Sequence, residues 1–286
     1  VPRSEAERIT PGLLRSWPLP RPTGSKRSRG DVVVVGGARR SPGAALLAGR
    51  AALRVGAGRL TLAVGASVAE AVAVALPESG VVPLAETRSG AVRGAAVRSA
   101  SGDLAAARAI LVGPGLDDAG ETARMLHEVG RAAGRDATLV LDAYALGALA
   151  GHRRLAGRTP RILTPNEQEA SILLGRDVRD LDAATVELAR RYRAVVSCFG
   201  RIASPEGRLL TTGDGDPGLG TSGSGDALAG AIAGLAARGC RPLQAAVWGT
   251  HLHTAAGASL SRSVGALGYL AGEIVDRLVV ELDALS

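Results

Sequence analysis

The stretch GLGTSGSGDALAGAIAGLAARG, Gly218 to Gly239, joins a loop of Gly, Ser and Thr directly to a run of small apolar residues. Glycines let backbone amides converge on a ligand with no Cβ in the way, and a helix start aims unpaired N–H groups and partial positive charge at it. Gly223, Ser224 and Gly225 therefore predict an anion hole suited to phosphate. Asp226, the one carboxylate at the junction, has two readings. It caps the helix by accepting from orphan amides, or it takes the proton from, or orients, a hydroxyl that meets a phosphoryl group. Spacing excludes three commoner sites. No Gly-Lys-Ser/Thr follows as in a P-loop, and the chain's one lysine, Lys26, lies elsewhere. The first strand does not lead into GxGxxG, and GTSGSGD is not a GxSxG elbow.

Four other segments punctuate the chain in similar ways: GGARRSPG from Gly36, GPGLDD from Gly113, DAYAL from Asp142 and TPNEQE from Thr164. Each alone reads as a turn. Together they fall after apolar runs, where ligands gather in open α/β sheets. Asp142 is placed to orient a ligand or water, and Asn166 and Glu169 are placed as helix caps. His251 and His253 alternate on one helix, so they cannot form an i, i+4 metal pair and read as structural. The basic loop GSKRSRG, residues 24–30, is either a solvated face or an aid in holding phosphate. No residue set predicts a protein-held metal.

The elements that must position these groups alternate along the chain. DVVVV from Asp31 is a short continuous apolar run, as expected of a strand buried on both faces. A helix with Pro42 in its first turn follows, stopping at Gly56 and Gly58. Strands at 59–64, 109–112, 138–141, 161–163 and 194–200 alternate with helices from about 67, 121, 166 and 181. RIASPEGRLLTTG then reads as a hairpin turning at Pro205, Glu206 and Gly207. Three helices close the chain, to Ala237, from Pro242 to about 261, and to about Leu282. The pattern predicts an α/β fold: a three-layer α/β/α sandwich on a mostly parallel sheet, one domain over 1–286, with residues 1–30 as an irregular arm packed on it.

Composition limits the partners. The 286 residues carry a net charge of +7, but the arginines are scattered and only 2% of residues are aromatic. That argues against nucleic acid, which needs basic stripes and stacking platforms. No segment reaches the roughly 18 to 20 uninterrupted apolar residues of a membrane span. Cys198 and Cys240 lack CxxC spacing and read as buried thiols in a reducing compartment. With no charged start and apolar core of a secretory leader, cytoplasm is the expected location.

The ordered set GGxxxxPGAA, AALRVGAG, VGPGL, LDAYAL, LTPNEQEA and GTSGSGDALAGAIAGL resembles the ADP-dependent NAD(P)H-hydrate dehydratases of the ribokinase-like superfamily. The likeness runs from about Ile9 to Leu282. It implies a repair lyase that removes water from (6S)-NADHX or (6S)-NADPHX using ADP, yielding NAD(P)H, AMP and phosphate. It further implies Mg²⁺, a cytoplasmic enzyme and a homotetramer. Residue by residue, it places Ala44, Gly115, Asn166 and Asp226 against the hydrate, with Asp226 catalytic. Phe199, Gly200, Arg201, Ile202 and Ala203 would cradle the adenylate, and Gly223, Ser224 and Gly225 the phosphoryl group. Three positions depart from the family's usual pattern, the first being Tyr144, which stands where the common DADAL has an acid and leaves Asp142 as the one carboxylate there. Asn166 stands where many members have histidine, and Phe199 replaces the lysine of a Lys-Gly pair. A small-molecule kinase and a non-catalytic nucleotide binder of the same fold remain alternatives, because anion hole and carboxylate serve all three.

Overall fold

The computed structural model describes residues 6–21, 25–151, 159–213 and 215–285. A single ten-stranded sheet runs in the order β1-β10-β9-β8-β7-β6-β5-β2-β3-β4. Its strands are β1 (Glu7–Arg8), β2 (Asp31–Val35), β3 (Arg59–Gly65), β4 (Ser79–Leu84), β5 (Ala109–Val112), β6 (Thr138–Leu141), β7 (Arg161–Leu163), β8 (Val195–Cys198), β9 (Arg201–Ala203) and β10 (Leu209–Thr211). All neighbouring pairs are parallel except β8–β9 and β9–β10.

Period-two alternation feeds two cores. Val32 and Val34 of β2 point to one face, and Val33 and Val35 to the other. The first face is covered by α2 (Pro42–Arg54), α9 (Ser224–Ala237), α10 (Pro242–Ser263) and α11 (Ala271–Asp283). The second is covered by α4 (Ser101–Ala106), α5 (Ala119–Ala132), α6 (Tyr144–Gly151), α7 (Glu167–Leu174) and α8 (Leu181–Tyr192). With few aromatics to fill space, the first face closes by backbone approach. A Cβ on Gly230 would lie 2.1 Å from the Ala48 carbonyl oxygen, and one on Gly234 would lie 2.4 Å from that of Ala52. These two glycines seat α9 directly on α2.

The sandwich and its predicted strands are present, and several elements depart from expectation. The arm is not wholly irregular: β1 pairs with β10, and α1 (Pro11–Ser16) is capped by Thr10, whose hydroxyl accepts from Leu13 N. It does pack on the sandwich, because Leu14 is fully buried and the Trp17 carbonyl accepts from Trp248 Nε1 at 2.9 Å. Residues 1–5 and 22–24 of that arm lie outside the described residues. Edge strand β4 tolerates Pro83 because an edge leaves one row of ladder groups unpaired. Helices α3 (Ala69–Ala75), α4 and α6 are short. The strand expected over 194–200 stops at Cys198, because Phe199 (φ 49°) and Gly200 (φ 76°) both take the left-handed conformation. They form a two-residue hairpin turn to β9, whose twist suits that backbone. The second hairpin turns at Pro205, Glu206 and Gly207 as predicted, with Gly207 at φ 100°.

Candidate active site

Chain order fixes where a ligand can enter. From β2 the chain steps to β3 and β4 on one side, then returns through β5 on the other side and continues to β6, β7 and β8. A parallel sheet that reverses direction this way opens a crevice beyond the carboxyl ends of the strands at the reversal, here β2 and β5. Two glycine loops meet there. Gly37 N donates to the Pro114 carbonyl at 2.8 Å and Ala38 N to that of Gly115 at 2.9 Å. Gly115 (φ 70°) lies so close to the start of α2 that a Cβ would come within 2.2 Å of the Ser41 carbonyl and 3.1 Å of Ala44 Cβ. Ala44 and Gly115 are thus neighbours. On the β6 side, a Cβ on Gly113 would lie 1.8 Å from the Asp142 carbonyl oxygen.

Helix α9 brings its N-terminus to the same end. Its far end, Ala237, abuts Gly30 just before β2, so the helix runs antiparallel to the strands. The cap is Gly223 (φ 88°), not Asp226, and no side chain caps the helix. A Cβ at 223 would lie 2.5 Å from Leu47 Cδ1 and 3.1 Å from Ala271 Cβ, so a side chain there would have to push the Leu47 tip aside at a left-handed φ. Asp226 is instead the third residue of the first turn, which leaves the first amides without an intrahelical partner. A Cβ on Gly225, by contrast, would meet nothing within 4 Å. The basic loop is at the wrong end to help. Its described residues 25–30 sit by Ala237, about 21 Å along a 14-residue helix from Gly223.

Three carboxyl groups converge electrostatically on this turn. Asp142, buried at the end of β6, accepts from Thr164 Oγ1 at 2.7 Å. Burial holds its carboxyl well above the usual carboxylate range, and the charges of Asp226 and Glu169 push it further. Asp226 is pushed up to about 6, first by burial and then by Glu169. Glu169 is raised by burial, against the lowering effect of the Asn166 amide. Asn166 and Glu169 form a capping box on α7: Glu169 N donates to Asn166 Oδ1 at 2.8 Å, and Asn166 N to Glu169 Oε2 at 2.9 Å. Their cap role is borne out. It also leaves Asn166 exposed beside the carboxylates.

The hairpin side is wired differently. Arg201 turns to Asp182 of α8 and back to the Phe199 carbonyl, and Ile202 and Ala203 are buried in the two cores. Of the five predicted adenylate positions, the side chain of Phe199 is the one presented to solvent, at 61% exposure. Gly200 faces the opposite strand, its carbonyl accepting from Thr212 N.

One pair escaped the sequence reading. Ser224 Oγ lies 2.9 Å from His253 Nε2, and the Ser224 carbonyl accepts from the same nitrogen at 3.0 Å. A nitrogen facing a carbonyl oxygen carries its proton, so this imidazole is not a base for the serine. Burial depresses His253 to about 4, which keeps the ring neutral. Cys198 and Cys240 are buried and free, with thiols pushed up to about 12 by burial. No helix of the described residues is long and apolar enough to cross a membrane.

This geometry meets a matching ancestry. The family model described as NAD(P)H-hydrate dehydratase matches residues 32–279. The chain belongs to the NAD(P)H-hydrate dehydratase family. It is 44% identical to the ADP-dependent (S)-NAD(P)H-hydrate dehydratase of Xanthomonas campestris, covering 97% of this chain and 96% of that protein. It is 36% identical to the bifunctional NAD(P)H-hydrate repair enzyme of Moorella thermoacetica, of which it spans 52%. The crystal structure of the ADP/ATP-dependent NAD(P)H-hydrate dehydratase of Bacillus subtilis, obtained with ATP and Mg²⁺, superposes with a TM-score of 0.82 at 26% identity over 99% of both chains. The sandwich is therefore the ribokinase-like fold that the sequence implied. Family members are hydro-lyases, and that class carries over to the chain.

Proposed function

We propose that this chain dehydrates (6S)-hydrated NADH and NADPH at the expense of ADP, releasing NAD(P)H, AMP and phosphate. The observation that carries the reading is the glycine-capped start of α9, with Asp226 half-buried in its first turn at the sheet's reversal point. Hydroxide is a poor leaving group, so the ring hydroxyl must first be esterified. Asp226 takes the hydroxyl proton as its oxygen attacks the terminal phosphorus of ADP and AMP departs. The Gly223 and Gly225 amides hold the developing phosphoryl charge, a role in which fixed backbone donors act without reorganising, while the Ser224 N–H, expected to join them, is already given to the Thr221 carbonyl at 3.2 Å. The new C–O–P bond then breaks at carbon, driven by the ring nitrogen lone pair. Phosphate leaves, and loss of a proton from the adjacent ring carbon completes the double bond.

Ala44 and Gly115, packed against each other beside the reversal point, and exposed Asn166 are the positions that would contact the hydrated ring. Among the described residues no three His, Cys, Asp or Glu side chains gather as a metal cage. That donor set fits Mg²⁺ brought in on nucleotide phosphates, which needs only one or two carboxylates. Asp142 and Glu169, both raised by burial in a negative cluster, are the residues that would hold it. When bound, it offsets the charge of the phosphates. Two free buried thiols support a reducing, cytoplasmic setting, and exposed Val264, Leu267 and Leu270 support a homo-oligomer, with a tetramer expected in light scattering.

The test is recovery of nicotinamide absorbance from pure (6S) hydrate with ADP. No recovery would sink the reading. Accumulation of a stable phosphate ester, with no return of absorbance, would favour a kinase.

A further inference from the structure

Helix α10 carries Thr250, His253 and Thr254 at i, i+3 and i+4, hence on one face. Each reaches a different segment at the carboxyl end of the sheet. Thr250 Oγ1 lies 2.7 Å from Ser197 Oγ at the end of β8, with both residues almost fully buried. Thr254 Oγ1 lies 3.4 Å from Thr212 Oγ1 behind the Phe199–Gly200 turn. His253 Nε2 holds Ser224, the first helical residue of α9, by both hydroxyl and carbonyl. One rigid helix therefore ties the hairpin that the family assigns to the nucleotide to the helix start assigned to the phosphoryl group.

We infer that His253 is a positioning residue: its Nε2–H fixes the first turn of α9, and so the amides of Gly223 to Gly225 and the Asp226 carboxylate, relative to β8. The inference rests on the proposed function for its kinetic consequence only. Local support for this turn is slight: Gly223 has no side chain to cap it, and the Ser224 N–H turns back to the Thr221 carbonyl at 3.2 Å. Gly225 meets nothing within 4 Å on its open side. The buried imidazole supplies the fixed point that an Asp or Ser cap supplies elsewhere, and it does so through the Ser224 hydroxyl and carbonyl, taking up no amide of the turn. A misplacement of about 1 Å at such a site costs roughly a hundredfold in rate, whereas ground-state binding spread over many contacts barely changes.

The experiment compares H253Q with H253N. Glutamine places an N–H near the position of Nε2; asparagine is one methylene shorter and cannot reach Ser224. Polarity is matched, and melting curves establish that both fold. With (6S)-hydrated NADH and ADP, kcat should fall about ten- to a hundredfold in H253N, with KM and ADP affinity within about threefold. In H253Q it should recover to within about fivefold of wild type. Hydrogen exchange of the peptide covering 221–228 should quicken about tenfold in H253N and stay near wild type in H253Q, a readout that needs no turnover. Unchanged kcat and exchange in H253N would overturn the inference, as would equal impairment in both variants. If wild type itself fails on the hydrate, the functional reading falls, while exchange alone still decides the role of His253.

Discussion

Two left-handed backbone positions frame the proposed site, and they are built in opposite ways. At the start of α9, Gly223 sits at φ 88° against Leu47 and Ala271, and the next residue is held by a buried histidine. At the β8–β9 turn, Phe199 sits at φ 49° with its ring 61% exposed. The first position crowds any side chain against Leu47 and Ala271, and the second displays one to solvent. On the proposed function, the phosphoryl end takes its geometry from crowded backbone at a left-handed glycine. Where the far end of a nucleotide would rest, the turn fixes the backbone and leaves the side chain replaceable.

The sharpest way to break the comparison is Asp226→Asn. Turnover should fall about a hundred- to ten-thousandfold, the range for a positioned acid–base group, and retained turnover would return Asp226 to a structural role. Stability should move the other way. The folded carboxyl is pushed up to about 6 from an ordinary 3.8, so between those values the folded state holds more protons than the unfolded. Stability contributed by this group is therefore present at low pH and lost as pH rises through that window. Asp226→Asn should be more stable than wild type at pH 7 by about 1–2 kcal/mol, allowing for partial solvent access, and equal to it below pH 4. Urea melts at the two pH values check this.

The same carboxyl sets a pH limit on activity. As pH falls through about 6, Asp226 takes up a proton and can no longer accept one, so kcat/KM should drop with a single-proton slope. Glu169→Gln removes a like charge that helps raise it, and the acidic limb should shift to lower pH. A limb that stays in place would remove Glu169 from the electrostatic account.

Glycine replacements separate fold from chemistry within one turn. Gly223→Ala forces a Cβ against Leu47 at a left-handed φ, which should cost about 1–3 kcal/mol in stability and also slow turnover. Gly225→Ala meets open space, so its melting temperature should hold while the new methyl group takes ligand volume and turnover falls about tenfold. If both variants melt as wild type, the close approach at Gly223 is not what holds the turn.

How much of this was legible in the sequence follows the same division. Local grammar carried the Gly-rich loops, the valine run of β2, the Pro205–Gly207 turn and the Asn166 capping box, since each is decided within a few residues. Edge strand β4 was hidden by Gly80 and Pro83, which punctuate an isolated sequence but are tolerated at a sheet edge. Phe199–Gly200 lacks the Asn-Gly or Asp-Gly that usually announces a two-residue turn, so the strand reading ran through it. Asp226 looked like a cap because acids favour helix starts; the left-handed Gly223 took that position three residues earlier. The basic loop stayed open between a solvated face and an aid to phosphate because nothing local shows which end of the sheet a segment will occupy. The Ser224–His253 bond joins residues 29 apart, and its one trace was a polar i, i+3, i+4 set on an apolar helix.

The smallest effect belongs to the variable turn and tests the other half of the contrast. Phe199→Lys restores the family's usual charge at an exposed site, where one added cation is worth about 0–1 kcal/mol and is screened by salt. ADP affinity, measured by calorimetry, should tighten about two- to fivefold at low ionic strength and return to the wild-type value near 0.5 M salt, with kcat unchanged. Phe199→Gly should relieve the positive φ and stabilise the hairpin by about 0.5–1 kcal/mol, again without touching kcat. If either substitution lowers kcat as far as a change at Gly225, the turn is part of the reacting geometry and the contrast between fixed backbone and replaceable side chain fails.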